Sequence, residues 1–185
     1  MGWYVEPAQS GGGAILDHTV HVADLLRWLF NSEPIAVYAE KGDLFHDLKV
    51  EDSGMVHIEF DQGMIAFIDT SWSRNRSYPF WGDVKLDIIG TEGVIHMDAF
   101  AQTNEVYSDL EVKSKWSYWG ERMNYYMLQD FVDALVAKRD VPVSGEDGLR
   151  ATSIALAAYE SIQRKGKVAM KKEREHGALH GQSIY

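Results

Sequence analysis

The chain has 185 residues, of which 45% are hydrophobic and 12% aromatic, and this is enough apolar material for one well-packed domain. Its 28 acidic and 18 basic side chains give a formal charge of -10, which argues against nucleic acid as a partner because phosphate binding needs a basic surface. The absence of cysteine excludes disulfides, thiolate metal ligands and cysteine nucleophiles. We expect a cytoplasmic protein with no membrane partner, because signal-peptide patterning and an apolar run of about 20 residues are both missing.

A helix is predicted over residues 14–30, after a lead-in of residues 1–13 that ends in three glycines. The predicted helix contains no Gly or Pro, and most of its positions are apolar. At about 100° per residue, its polar positions form a narrow stripe that consists of Asp17, His21 and Asp24 together with Trp28. Because ionisable groups rarely enter apolar surroundings unpaired, we expect this stripe to line a cleft.

Two-residue alternation predicts antiparallel strands in the middle of the chain. They comprise a strand at 35–40, a hairpin of 54–60 with 64–72, a second hairpin of 83–89 with 94–99, and a strand at 104–112. Two helices follow, at 120–138 with a core-forming apolar stripe and from Ser144 to about residue 162, before an edge strand at 168–170 and a polar tail at 171–185.

These elements predict a single α+β domain over residues 1–185, with an open, mainly antiparallel sheet and helices packed on one face. The other face of such a sheet needs cover, and a second subunit is the usual solution. We therefore expect a homo-oligomer that forms through the sheet face.

Asp17 and His21 are four residues apart, so their side chains are neighbours on a helix. A carboxylate beside an imidazole fixes its tautomer, which suits His21 to take a proton from a substrate hydroxyl while Asp17 and Asp24 stabilise the charge that forms. The pair could instead tie the helix to a loop. A third alternative is a zinc or manganese site completed by ligands from elsewhere, which His18 does not supply because it points about 100° away from Asp17.

Two further stretches suggest ligand contacts. Gly11–Gly13 lacks the spacing of a nucleotide-binding loop, but its glycines would leave backbone amides free at the helix N-terminus for a ligand. The aromatic and basic residues of 72–81 and 115–119 suit either a polyol pocket or a subunit interface. We expect most of them to lie at an interface, and Arg74 and Arg76 to contact substrate.

The helix motif resembles the one that opens the C-terminal domain of the glucose–fructose oxidoreductase/inositol dehydrogenase (Gfo/Idh/MocA) family. The resemblance is carried by Gly11-Gly12-Gly13-Ala14-Ile15-Leu16-Asp17, His21, Asp24 and Trp28, in that spacing. Residues 141–161 also resemble the closing helix of that family, and the order of elements between the two motifs is similar. The resemblance therefore covers nearly the whole chain.

This resemblance implies the C-terminal substrate-binding and catalytic half of an NAD(P)-dependent oxidoreductase that acts on a sugar, polyol or related hydroxy compound. By resemblance, His21 is the acid/base histidine, Asp17 the aspartate that orients it and binds substrate, and Asp24 a supporting position. NAD or NADP would be bound mainly by a Rossmann domain absent from this chain, which a separate partner could supply. The alternative is a non-catalytic ligand-binding or dimerisation module.

Overall fold

The computed structural model of the protein describes residues 2–78 and 82–170. They form two compact units: the first combines the chain up to Ser73 with the chain from Val143 onward, and the second is Arg74–Pro142. The predicted polar tail at 171–185 lies outside the described residues, and the prediction of one domain over 1–185 stays a prediction.

The described residues form short helical turns at Trp3–Val5 and α1 (Pro7–Ser10), followed by α2 (Ala14–Phe30), β1 (Pro34–Gly42), β2 (Ser53–Phe60), β3 (Ile65–Asp69), β4 (Lys85–Ile89), β5 (Val94–Asp98), β6 (Thr103–Ser108), β7 (Lys113–Tyr118), α3 (Met123–Ala137), α4 (Gly145–Arg164) and β8 (Val168–Ala169). The α+β class is confirmed, as is the predicted helix over 14–30. Asn31 ends this helix in a left-handed conformation with φ of 44°. None of the helices in the described part combines the length and apolarity needed to cross a membrane.

In the first unit, four antiparallel strands form a sheet in the order β3-β2-β1-β8. This arrangement confirms the first predicted hairpin and the edge strand. Alternate residues of β2 are buried, among them Val56 and Ile58, whereas Met55 on the opposite face is 49% exposed. Helices α2 and α4 contact each other and the sheet, and they bury Ile15 and Ile154 completely. The helices therefore cover one face of this sheet, as predicted.

The second unit contains the hairpins β4-β5 and β6-β7 together with α3. The second predicted hairpin is confirmed, but the strand predicted at 104–112 ends at Ser108, and β7 follows it as a strand that was not predicted.

The apolar stripe of α3 was predicted to be core, and this is wrong: Met127 is 63% exposed and Val136 79% exposed, while Ala134 is buried. Helical spacing identifies an apolar helix, but it does not identify the surface that would cover it.

Candidate functional site

A cleft of about 230 Å³ lies in the first unit, where the N-terminal turns meet the start of α2. It is lined by Trp3, Tyr4, Ser10, Gly12, Gly13, Leu16, Asp17, Val20, His21 and Trp72. Two members of the predicted polar stripe, Asp17 and His21, therefore share one cleft. Aromatic rings from the lead-in and from the chain after β3 complete its walls.

The Asp17 carboxylate is held by neighbours far away in sequence. The Trp72 indole N–H donates to Asp17 Oδ2 over 3.1 Å, and the Trp72 ring stacks on Tyr4 with their centroids 5.5 Å apart. Burial raises the pKa of the Tyr4 hydroxyl, and hydrogen bonding to Asp17 together with the negative charge of Asp17 raises it further. Neither Tyr4 nor Trp72 was predicted as a site residue, because their contact with Asp17 is tertiary and has no sequence spacing that could reveal it.

A histidine does pair with Asp17, but it is His18. His18 Nε2 lies 3.2 Å from Asp17 Oδ2, and His18 Nδ1 is 2.9 Å from the Thr70 carbonyl oxygen. The expectation that His18 points away from Asp17 is therefore wrong. The helical spacing fixes the direction of the Cα–Cβ bond, whereas side-chain rotation and the Thr70 carbonyl decide where the ring lies.

The position of His21 differs from that of His18. It is exposed in the cleft, and within residues 2–78 and 82–170 it makes no hydrogen bond or ion pair. No hydrogen bond joins Asp17 and His21 in the described part of the chain, and the expectation that Asp17 orients His21 stays a prediction. His21 can therefore contact a molecule that enters the cleft.

Asp24 does not line the cleft. Its carboxylate lies 3.6 Å from the Arg27 guanidinium, which also pairs with Glu33 at 2.9 Å and with Asp147 at 3.6 Å. Asp24 therefore belongs to an ion-pair cluster around the nearly buried Arg27 at the other end of α2, and its supporting role in the site stays a prediction.

The three glycines contact the chain itself. Glu51 Oε1 accepts hydrogen bonds from the N–H groups of Gly13 at 2.9 Å and Ile15 at 3.3 Å, and also from the Tyr159 hydroxyl at 2.6 Å. A Cβ atom on Gly12 would lie 2.1 Å from the Tyr159 hydroxyl oxygen. The expectation of free amides is therefore wrong, and this helix end does not fit the pyrophosphate of a dinucleotide because Glu51 already occupies it.

Arg74 and Arg76 belong to the second unit. Arg74 Nε donates to Asp83 Oδ1 over 3.0 Å, and its guanidinium lies 5.1 Å from the centre of the Tyr78 ring. Arg76 is exposed. The role of both as substrate contacts stays a prediction, and Pro79, Phe80 and Trp81 of the same stretch lie outside the described residues.

The metal alternative depends on ligands beyond Asp17 and His21. Within the described ranges, no group of three or more His, Cys, Asp or Glu side chains is arranged to hold a metal ion. Asp17 Oδ2 accepts the Trp72 indole N–H and lies 3.2 Å from His18 Nε2, so the chain itself engages this oxygen.

Residues 1–96, more than half of the chain, match the model of the GFO/IDH/MocA C-terminal domain. The chain therefore belongs to this family of C-terminal domains, and the resemblance read from the helix motif is confirmed. The match ends within β5, so it includes α2 and the strands that carry the cleft.

Individual relatives are oxidoreductases. The chain is 28% identical over 177 residues to myo-inositol 2-dehydrogenase of Thermotoga maritima. This alignment covers 87% of the present chain and 50% of that protein. The chain is 26% identical over 173 residues to the uncharacterized oxidoreductase YrbE of Bacillus subtilis, with 85% and 48% covered. The chain thus spans about half the length of the curated relatives it matches.

A solved structure extends the likeness to the fold. GenD2 from gentamicin A biosynthesis, crystallised in complex with NAD, aligns with a TM-score of 0.78 and 28% identity. The alignment covers 92% of this chain and 52% of GenD2. The fold of this chain is therefore similar to that of about half of GenD2.

Proposed function

We propose that this chain is the substrate-binding and catalytic half of an NAD(P)-dependent oxidoreductase acting on a sugar, polyol or related hydroxy compound. The observation that carries the proposal is the cleft, where a fixed carboxylate, Asp17, lies among aromatic rings with the His21 imidazole, which has no polar partner among residues 2–78 and 82–170. The family membership and the activity named for the Thermotoga maritima relative support the reaction class.

Substrate binding is assigned to the cleft walls. Trp3 is 63% exposed and meets the Tyr4 ring edge-on with centroids 5.6 Å apart, so it presents a flat apolar surface on which the C–H face of a sugar or cyclitol can lie. Asp17 has acceptor capacity beyond the bonds from Trp72 and Tyr4, since a carboxylate offers about four lone pairs. It can therefore accept a hydrogen bond from a substrate hydroxyl.

Proton transfer is assigned to His21. NAD(P)+, when bound, accepts a hydride from the alcohol carbon, and the hydroxyl proton must leave at the same time. An imidazole whose ring is exposed to the cleft and free of protein partners in the described part of the chain can take that proton, and it can return it in the reverse direction. The dinucleotide itself is assigned to a Rossmann domain, in the same polypeptide or in a separate partner, because the start of α2 is filled by Glu51.

Binding can be tested on this chain by NMR titration with myo-inositol. We expect the indole resonance of Trp72 to shift, while that of Trp28, which is 74% exposed and does not line the cleft, stays in place. Asp17→Asn should weaken binding, whereas Asp24→Asn is the matched control and should not. Equal effects of the two substitutions would overturn the assignment of the cleft.

Catalysis can be tested in the complete oxidoreductase with its nucleotide-binding domain. His21→Asn should lower kcat by about 10²–10⁴ with little change in KM, because general acid–base catalysis is lost while the binding groups remain. An unchanged kcat would refute the acid/base role.

A non-catalytic dimerisation module is the second candidate, and the open face of the sheet favours it because Phe67 there is 71% exposed. In that case the effects of Asp17→Asn and His21→Asn on the binding of a ligand would be equally small.

Under either function we propose that the chain forms a homo-oligomer through this sheet face and that the protein is cytoplasmic.

A further inference from the structure

Trp72 is held on both sides of its backbone by one loop. Its N–H donates to the carbonyl oxygen of Asp52 over 2.8 Å, and its own carbonyl oxygen lies 3.0 Å from His46 Nε2. Asp52 is fully buried, and its carboxylate accepts the His46 N–H together with the N–H groups of Leu44 and Phe45. The backbone from which the indole projects is therefore fixed by a loop that a buried carboxylate closes.

The Trp72 side chain is fixed as well. Its ring stacks on Tyr4, with centroids 5.5 Å apart and planes 23° apart. The indole has only one N–H, and this group donates to Asp17 Oδ2 over 3.1 Å. A hydrogen bond to an ionised acceptor is stronger than one between neutral groups. Because the Tyr4 hydroxyl hydrogen-bonds the same carboxylate, two stacked rings place two donors on Asp17.

We propose that Trp72 is a positioning residue, which acts through Asp17: its indole N–H holds the carboxylate in the orientation that accepts a substrate hydroxyl. This inference rests on the proposed function of the cleft. A carboxylate that is already fixed in the free protein loses less conformational freedom when a substrate binds, so the indole bond increases affinity. Trp72 also lines the cleft, and a ring that served only as a wall would need its area but not its N–H.

The hydrogen bond can be tested without a ligand, by the indole proton resonance of Trp72 in NMR spectra of the chain. Asp17→Asn should move this resonance upfield, because a neutral amide oxygen is a weaker acceptor than a carboxylate. Asp24→Asn is the matched control and should leave the resonance in place, since Asp24 pairs with Arg27. An indole resonance that does not respond to Asp17→Asn would overturn the proposal.

Two substitutions of Trp72 separate its N–H from its ring area. Trp72→Phe keeps a ring that can stack on Tyr4 but has no N–H. Trp72→His is smaller, but its five-membered ring can place Nε2 where the indole Nε1 lies. In calorimetric titrations, we expect Trp72→Phe to weaken myo-inositol binding about three- to tenfold, because Asp17 must then be ordered by the ligand. Trp72→His should stay within about twofold of the parent.

Equal losses in the two variants, or a larger loss in Trp72→His, would show that the ring area matters and would refute the positioning role. The two proposals fail in different ways. If the unsubstituted chain does not bind myo-inositol, the substrate assignment fails, whereas the response of the indole resonance to Asp17→Asn still decides whether Trp72 holds Asp17.

Discussion

Gly12 shows how closely the side chains around the cleft approach the backbone. A methyl group at this position would overlap the Tyr159 hydroxyl oxygen, at 2.1 Å, and would lie 3.0 Å from Leu16 Cβ. Gly12→Ala should therefore destabilise the chain by about 1–3 kcal/mol, as measured by urea denaturation, because Tyr159 must move to make room.

Gly148 is the matched control for this substitution. It lies inside α4, and an added Cβ would meet nothing within 4 Å. Gly148→Ala should stabilise the chain by about 0.5–1 kcal/mol, since alanine is the better helix former. If both substitutions had the same sign, the close approach of Tyr159 to Gly12 would not be the reason for the glycine.

The Asp52 carboxylate is expected to stabilise the folded state, and acid should remove this stabilisation. Its burial opposes the charged form, but N–H groups of Leu44, Phe45 and His46 donate to the carboxylate, and together with the charge on His46 they lower the pKa of Asp52 below its ordinary value. A lowered folded-state pKa means that this contribution is complete above about pH 4 and is lost as the pH falls through the folded-state pKa.

Asp52→Asn should therefore cost about 1–3 kcal/mol at pH 7 and make the free energy of unfolding less dependent on pH below about pH 4. Denaturation curves between pH 7 and pH 3 measure both effects. The exposed Asp47→Asn in the same loop is the control and should change neither. A parallel pH dependence of Asp52→Asn and the parent would contradict the assignment.

The residues around Asp17 show which side-chain positions can be predicted from the sequence and which cannot. The four-residue spacing correctly placed Asp17 and His21 in one cleft, because helix geometry alone determines which positions share a face. It failed for His18, Tyr4 and Trp72, whose positions depend on Thr70 and on the stacking of two rings from distant parts of the chain. Such contacts follow from the fold and have no local pattern.

Among the elements, α4 stabilises the start of α2 through one hydroxyl group. Tyr159 donates to the nearly buried Glu51 carboxylate at 2.6 Å and accepts from the Gly13 N–H at 3.2 Å. Burial raises the pKa of Tyr159, and the hydrogen bond to Glu51 and its charge raise it further. The stabilisation that the Tyr159 hydroxyl gives to the folded state is therefore complete below about pH 10, and it is lost as the pH rises through the raised pKa of Tyr159.

Tyr159→Phe should lower the free energy of unfolding by about 1–3 kcal/mol, because the nearly buried Glu51 carboxylate would lose a hydrogen-bond donor. Hydrogen exchange should show the largest loss of protection in the first turn of α2. Tyr107→Phe removes a hydroxyl that is exposed and paired with Glu105, and should change stability little. A loss of protection spread evenly over α4 and the sheet would contradict this local effect.

The elements also differ in how well the sequence predicts them. The hairpin of β2 and β3 has alternating apolar residues around a tight turn, and the predicted bounds are close to those observed. β7 was missed because Lys113–Tyr118 begins with three polar residues and contains only two aromatic ones, which is too short an alternation to predict a strand. Its strand conformation comes from pairing with β6, and the sequence of β7 alone does not contain that information.

At the scale of the whole molecule, the sheet of the first unit has an apolar outer face. Tyr38, His57 and Phe67 are aligned across three strands, and the rings of His57 and Phe67 stack at 4.8 Å. Phe67 is 71% exposed and Ile65 58%. A second copy of this chain is the expected cover.

Phe67→Glu should therefore convert the oligomer to a monomer at micromolar concentration, because a charge would be buried at the interface without a partner. Light scattering measures the molar mass directly. Thr152→Glu, on the exposed side of α4, is the control and should leave the mass unchanged. A parent chain that is already monomeric would refute the oligomer.

The Glu51 carboxylate at the amino end of α2 has a consequence for selectivity. The partial positive charge of the helix is compensated from within the protein, so a phosphorylated sugar would gain no electrostatic attraction from it and would meet the negative charge of Asp17. Uncharged polyhydroxylated molecules suffer no such repulsion. The cleft should therefore discriminate against sugar phosphates by electrostatic repulsion, even where their ring would fit.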